Sequence, residues 1–189
     1  MTGSSVLPVT IHKGKLYFLF GKENPMEDSA KGYSDFGGGV EKRESLYETA
    51  MREGGEELTG FLGDGSVLKK YIKKHGGTYK ICHNDYHVHL FYREYDPNLP
   101  FYYNQNHQFL WNRIDKQFLN KTKLFEKIKI KWFDVNTIKN KIREFRPFYQ
   151  HVVKAILLHE KNIKKFVKKC RKTQKQKSKK NYTRKFRSL

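Results

Sequence analysis

Three consecutive glycines, Gly37-Gly38-Gly39, close a β-rich run and are followed within a few residues by a helix with an acidic rim. Residues 33–40 read as a short strand running into a turn. Residues 45–58 read as a helix, with Leu46, Ala50 and Met51 on an apolar stripe and Gly60 as the stop signal. Glu53, Glu56 and Glu57 then fall at i, i+3 and i+4, which sets three carboxylates on one helix face. Such like charges cost a helix a few tenths of a kcal/mol per pair, roughly, so a cation is expected beside them. A hard divalent ion suits oxygen donors of this kind and neutralises phosphate charge. The glycines let backbone approach closely, and their N–H groups are expected to face an anion. A solvated acidic face would account for the glutamates. It would leave unexplained the glycines, the spacing to Glu44 and the Arg52-Glu53 pair.

Around this segment the pattern mixes strands and helices without strict alternation. Residues 5–11 and 15–20 predict a hairpin around His12-Lys13-Gly14, and 21–32 a polar loop. Asp64 or Ser66 is expected to cap a second helix reaching about Lys74. Residues 78–82, 86–95 and 127–135 read as strands, 107–118 as a helix and 148–167 as one long final helix. That order implies an α/β or α+β class with a mixed sheet. One domain is expected over residues 1–168, followed by a basic, disordered tail over 169–189.

The segment 38–60 resembles the Nudix box, G-x5-E-x7-R-E-U-x-E-E-x-G-U with U aliphatic. Gly38 matches the first glycine, Glu44 the first glutamate, Arg52-Glu53 the Arg-Glu pair and Glu56-Glu57 the paired glutamates. Two positions depart. Gly54 stands where the aliphatic residue belongs, followed by Gly55, and the closing glycine, Gly60, comes one residue late. Each glycine inside a helix costs about 1 kcal/mol relative to alanine. The resemblance implies an α/β/α sandwich around a mixed β-sheet, and a hydrolase that cuts a diphosphate linked to another moiety. It implies magnesium or manganese held by Glu53, Glu56 and Glu57, with Arg52 orienting the carboxylates. Gly37, Gly38, Gly39 and Glu44 are the expected phosphate-side residues. Glu57 is the in-box candidate for general base. Glu126 is the candidate outside the box, although a solvated loop-end charge is the favoured reading of it.

The chain has a net charge of +20, and residues 161–189 hold 14 Lys/Arg with no Asp or Glu. Such a segment favours polyanions and suggests non-specific nucleic-acid binding. Within the implied activity this tilts the substrate toward capped RNA or another polyanionic nucleotide. Lys121, Lys123, Lys127, Lys129 and Lys131 would add to the basic surface, unless they are a solvated strand face. Phe101, Tyr102, Tyr103 and Trp111 would stack a base, although core packing is the favoured reading. His83, His87 and His89 would line the cleft, although half-buried strand positions are the commoner outcome. Cys82 and Cys170 suggest neither a disulfide framework nor a zinc site. No signal peptide or membrane span is seen, so an intracellular, cytoplasmic or nuclear location is expected. The alternative is a Nudix-fold nucleic-acid-binding protein with little or no turnover.

Overall fold

The computed structural model describes residues 2–24, 31–122 and 125–186, with the side chains of 120, 122 and 175–186 left aside. Strands β1 (Gly3–His12) and β2 (Lys15–Glu23) form the expected hairpin, turning at Lys13 and Gly14, both with positive φ. β2 runs into the stretch expected to be loop. β3 (Tyr33–Ser34) and β4 (Phe36–Gly39) follow, so the three glycines lie in a strand and not in a turn. β5 (Thr78–His83) and β6 (Tyr86–Tyr92) form a second hairpin, and β7 (Lys127–Asp134) closes the set.

Among the described residues these strands build a seven-stranded mixed sheet. β1 pairs with β6 in parallel, and the other pairings are antiparallel. β1 pairs with β2 over Val9–His12 but with β4 over Gly3–Val6. β2 in turn pairs with β3 at Gly21 and Lys22, and along its other edge with β7. The two halves of the first hairpin therefore diverge, and the opening between them receives β3, Asp35 and β4.

Alternation along the strands feeds two cores, as the two-residue period requires. Leu7, Val9, Phe18, Phe20, Leu90 and Phe133 face one layer. Val6, Leu19, Phe36, Phe91, Ile130 and Trp132 face the other. The second layer is covered by α1 (Leu46–Glu57), α2 (Gly65–Lys74) and α3 (Asn98–Trp111) through Ala50, Met51, Leu68, Ile72, Leu99 and Tyr103. The first is covered by α5 (Val135–Asn140), α6 (Tyr149–Leu158) and α7 (Glu160–Phe186). The result is an α/β/α sandwich around a mixed sheet, the class that the sequence implies.

Several boundaries differ from expectation. α3 starts well before residue 107, because Leu99, Tyr103 and His107 recur at four-residue steps and are buried. Pro100 sits in its first turn, where no intrahelical N–H bond is lost. α3 ends at Trp111, and α4 (Lys116–Thr122) starts anew with Asp115 accepting from the Gln117 and Phe118 N–H groups. The final helix is two helices meeting at His159, which pairs with the Tyr79 hydroxyl at 2.7 Å. α7 runs on past residue 169, where the tail was expected to begin. Cys170 is buried with Ile163 and Val167, and Arg171 donates to the Ile11 carbonyl at 3.3 Å. Among the described residues no helix is long and apolar enough to cross a membrane.

Candidate active site

The chemistry predicted from the box is mounted by α1. Ser45 caps it in a reciprocal arrangement: its hydroxyl accepts from the Glu48 N–H, and the Glu48 carboxylate accepts from the Ser45 N–H at 3.0 Å. The two glycines inside α1 have a packing reason. A Cβ on Gly54 would overlap Val6, and one on Gly55 would lie 2.8 Å from the Gly65 backbone N. The glycines thus bring α1 close to the sheet and to the start of α2, so the departure from the box supports close packing of the helix.

Arg52 organises the outer part of the site. Its Nε donates to Glu44 at 2.8 Å and its Nη2 to the same carboxylate at 3.1 Å. Nη1 donates to Glu53 at 2.8 Å and to Glu56 at 3.1 Å, and Nη2 reaches the Gly39 carbonyl at 3.3 Å. One guanidinium therefore holds three carboxylates and ties them to the glycine strand. The Arg52 hydrogen bond holds the Glu44 carboxyl at about 2, well below the usual range. Burial pushes the Glu53 carboxyl up, against the pull of Arg52. Gly38 leaves room for that carboxylate, since a Cβ there would overlap it.

The three helix glutamates do not converge on one rim as expected. The Glu56 side chain is 62% exposed, whereas that of Glu57 is 5% exposed and turns inward. One Glu57 oxygen accepts from the Gly37 N–H at 2.7 Å. The other lies 3.0 Å from the Lys127 Nζ. The Gly37 N–H, expected to face an anion, is thus engaged by the protein itself. Among the described residues no group of three or more Asp, Glu, His or Cys stands arranged as a metal's ligands.

Lys127 was expected on an exposed strand face and is instead 1% exposed. A bulge explains this. β2 and β7 pair Lys22 with Lys129 but Glu23 with Lys127, so one extra residue, Ile128, reverses the facing of Lys127. Lys129 and Lys131, beyond the bulge, are exposed, as is Lys121; Lys123 lies outside the described residues. The Lys127 ammonium also bonds Glu23, and donates to Ser34 Oγ at 2.9 Å. Arg146 adds a second cation, donating to Glu23 at 2.8 Å. Burial lowers the Lys127 pKa, but Glu57 and Glu23 outweigh it and the net shift is upward. Burial pushes the Glu57 carboxyl up as well. Both its oxygens nevertheless face donors, so this geometry solvates the ionised form.

Glu126 lies nearer the site than its favoured reading as a loop-end charge suggested. Its charge bears on both Glu53 and Glu57. With Arg52, Glu56, Glu48 and Lys69 it lines a hollow of about 850 Å³ beside α1. The preceding residue, Phe125, holds a φ of 65°, in the left-handed region that an aromatic side chain rarely adopts.

Two further features escaped the sequence. Asp35, between β3 and β4, is buried against the Ser5 and Tyr86 hydroxyls, and burial raises its carboxyl to about 6 despite those bonds. Tyr103 is core, as favoured, but its hydroxyl donates to the Lys127 carbonyl at 2.9 Å and the Glu57 carbonyl at 3.2 Å. It thereby ties α3 to both ends of the buried ion pair. Phe101 and Tyr102 are exposed, and Trp111 is half-buried beside His107. His89 is buried under Tyr47 and pushed down to about 4 by burial. His87 lies against Cys82, and His83 against His151.

No family model and no curated protein matches the chain. Solved structures are similar to it. An Ap4A hydrolase binary complex from C. elegans aligns over 86% of this chain and 95% of its own, at 14% identity and a TM-score of 0.44. A bifunctional NMN adenylyltransferase/ADP ribose pyrophosphatase from Francisella tularensis, complexed with AMP and a manganese ion, aligns over 84% of this chain and 41% of its own, at 18% identity and a TM-score of 0.45. A NUDIX hydrolase from Nitrosomonas europaea aligns over 85% of this chain and 91% of its own, at 16% identity and a TM-score of 0.39. By its own residues, this chain carries a segment that resembles the Nudix box, with Arg52 gathering Glu44, Glu53 and Glu56 at the edge of an α/β/α sandwich.

Proposed function

We propose that the chain is a divalent-metal-dependent hydrolase that cleaves the diphosphate of a nucleoside diphosphate joined to another group. The observation that carries this is the Arg52 clamp, which gathers Glu53 and Glu56, with Arg52, Glu56 and Glu126 lining one hollow. The donor set is all carboxylate oxygen, which fits a hard ion, and Gly38 gives the Glu53 carboxylate its place against backbone. Magnesium or manganese would be held there by Glu53 and Glu56 together with the substrate phosphates, and would supply positive charge to the diphosphate oxygens.

The chain's own residues do the rest. Glu44 anchors Arg52, and Arg52 keeps the carboxylates from swinging apart. Glu126 takes a proton from the attacking water as its oxygen bonds phosphorus and the bridging P–O bond breaks. The leaving phosphate carries off the bridging oxygen. Lys69, on the wall of the hollow, draws in the anionic substrate.

The basic run 161–189 supports a polyanionic substrate such as capped RNA. The same run favours a second reading, a nucleic-acid binder of this fold without turnover. Incubating the purified chain in 18O-water with nucleoside diphosphate derivatives and capped RNA, with magnesium or manganese, tests both. The proposal expects a labelled phosphate product. Tight RNA binding with no labelled product from any substrate would favour the second reading.

A further inference from the structure

The Nudix resemblance sets Glu57 against a metal ion, whereas in this chain both Glu57 oxygens are engaged by the protein. The Lys127 Nζ lies 3.0 Å from one, and the Gly37 N–H donates to the other at 2.7 Å. An ammonium has three donors, and Lys127 directs them at Glu57, Glu23 and Ser34 Oγ. No proton of the ammonium is left for another partner.

The arrangement is built in. The bulge at Ile128 turns Lys127 inward, and Gly21 makes room for its stem, since a Cβ there would lie 2.8 Å from the Lys127 Cγ and Cδ. Charge is balanced without a metal: Glu23 and Glu57 face Lys127 and Arg146. A divalent ion on Glu57 would sit beside a buried ammonium, where like charges repel strongly.

We propose that Lys127 is a resident counter-ion for Glu57 that keeps a divalent ion off that carboxylate, so that Glu57 acts as a positioning residue for the glycine strand. The metal is left to the side of Glu53 and Glu56. This inference rests on the reading under Proposed function.

Manganese alone is the probe, titrated into the full chain and followed by electron paramagnetic resonance. Wild type binds the ion, and Glu56→Gln weakens binding by about tenfold or more, since a ligand charge is lost. Glu57→Gln stays within about threefold of wild type. Equal losses in Glu57→Gln and Glu56→Gln overturn the inference and leave the hydrolase reading standing. No manganese uptake by wild type at millimolar concentration overturns both. If Glu57→Gln does not fold, the paired variant Glu23→Gln with Lys127→Met decides, because it removes one charge of each sign. Freed of the ammonium, Glu57 then joins the metal, and affinity rises by about tenfold. An unchanged affinity overturns the inference.

Discussion

Lys127 and Glu57 meet at 3.0 Å inside the protein, one from a strand edge and one from the last turn of the box helix. Replacing either partner alone leaves a buried charge, which is far costlier than losing a surface pair. The space for the lysine stem comes from Gly21. Gly21→Ala would press a methyl against the Lys127 Cγ and Cδ at 2.8 Å and the Phe36 Cε1 at 2.9 Å. The stem is pinned by its ammonium bonds and cannot step aside. A loss of about 2 kcal/mol is expected from overpacking, read as a lower urea midpoint at unchanged slope.

Gly54→Ala sets two magnitudes against each other. Alanine improves helix propensity by about 1 kcal/mol. The new methyl would overlap Val6 and lie 3.0 Å from Leu68. Overpacking of a filled core costs about 1–3 kcal/mol, so the variant is expected to be less stable than wild type. A rise in its melting temperature would show that the helix sits more loosely on β1 than the structure has it.

Arg52→Lys keeps the charge and loses the fork that reaches Glu44, Glu53 and Glu56 together. Because Arg52 is partly exposed, its ion pairs add little to stability. The variant is expected to melt within a few degrees of wild type while hydrolysis falls by about a hundredfold. A loss of folding without a selective loss of rate would contradict the role assigned to the clamp.

His89 predicts an acid-side weakness. Burial pushes it from 6.5 to about 4, so between these values the unfolded chain takes up a proton that the folded chain refuses. Stability is full above pH 6.5 and falls as the pH drops toward 4, by at most about 3 kcal/mol in total. His89→Gln removes this contribution. Unfolding free energies of the two proteins, measured from pH 7 to 4, are expected to fall more steeply for wild type than for the variant, and parallel curves would refute the assignment.

The acidic segment was legible because Glu53, Glu56 and Glu57 recur at helical spacing, and they do lie on one helix, Leu46–Glu57, close to the 45–58 expected. The cores were legible from the two-residue strand alternation. Lys127 was not, because one bulge residue at Ile128 reverses the alternation that placed it outside. Asp35 gave no local signal, since its partners Ser5 and Tyr86 come from distant strands. α3 was mistimed because its buried positions are spread among polar and exposed aromatic residues. Glu56 and Glu57 share a helix face by spacing, but Lys127 draws only one of them inward, and helix periodicity does not reveal that.

Glu56, exposed beside Arg52 on the wall of the hollow, is the residue proposed to hold the metal for diphosphate hydrolysis. The most direct measurement is the rate of mononucleotide release by wild type and Glu56→Gln, each with magnesium, manganese or a chelator. Metal-dependent release by wild type is expected, with a loss of about a hundredfold or more in the variant. Equal rates in the two proteins, or release that persists in the chelator, would contradict it.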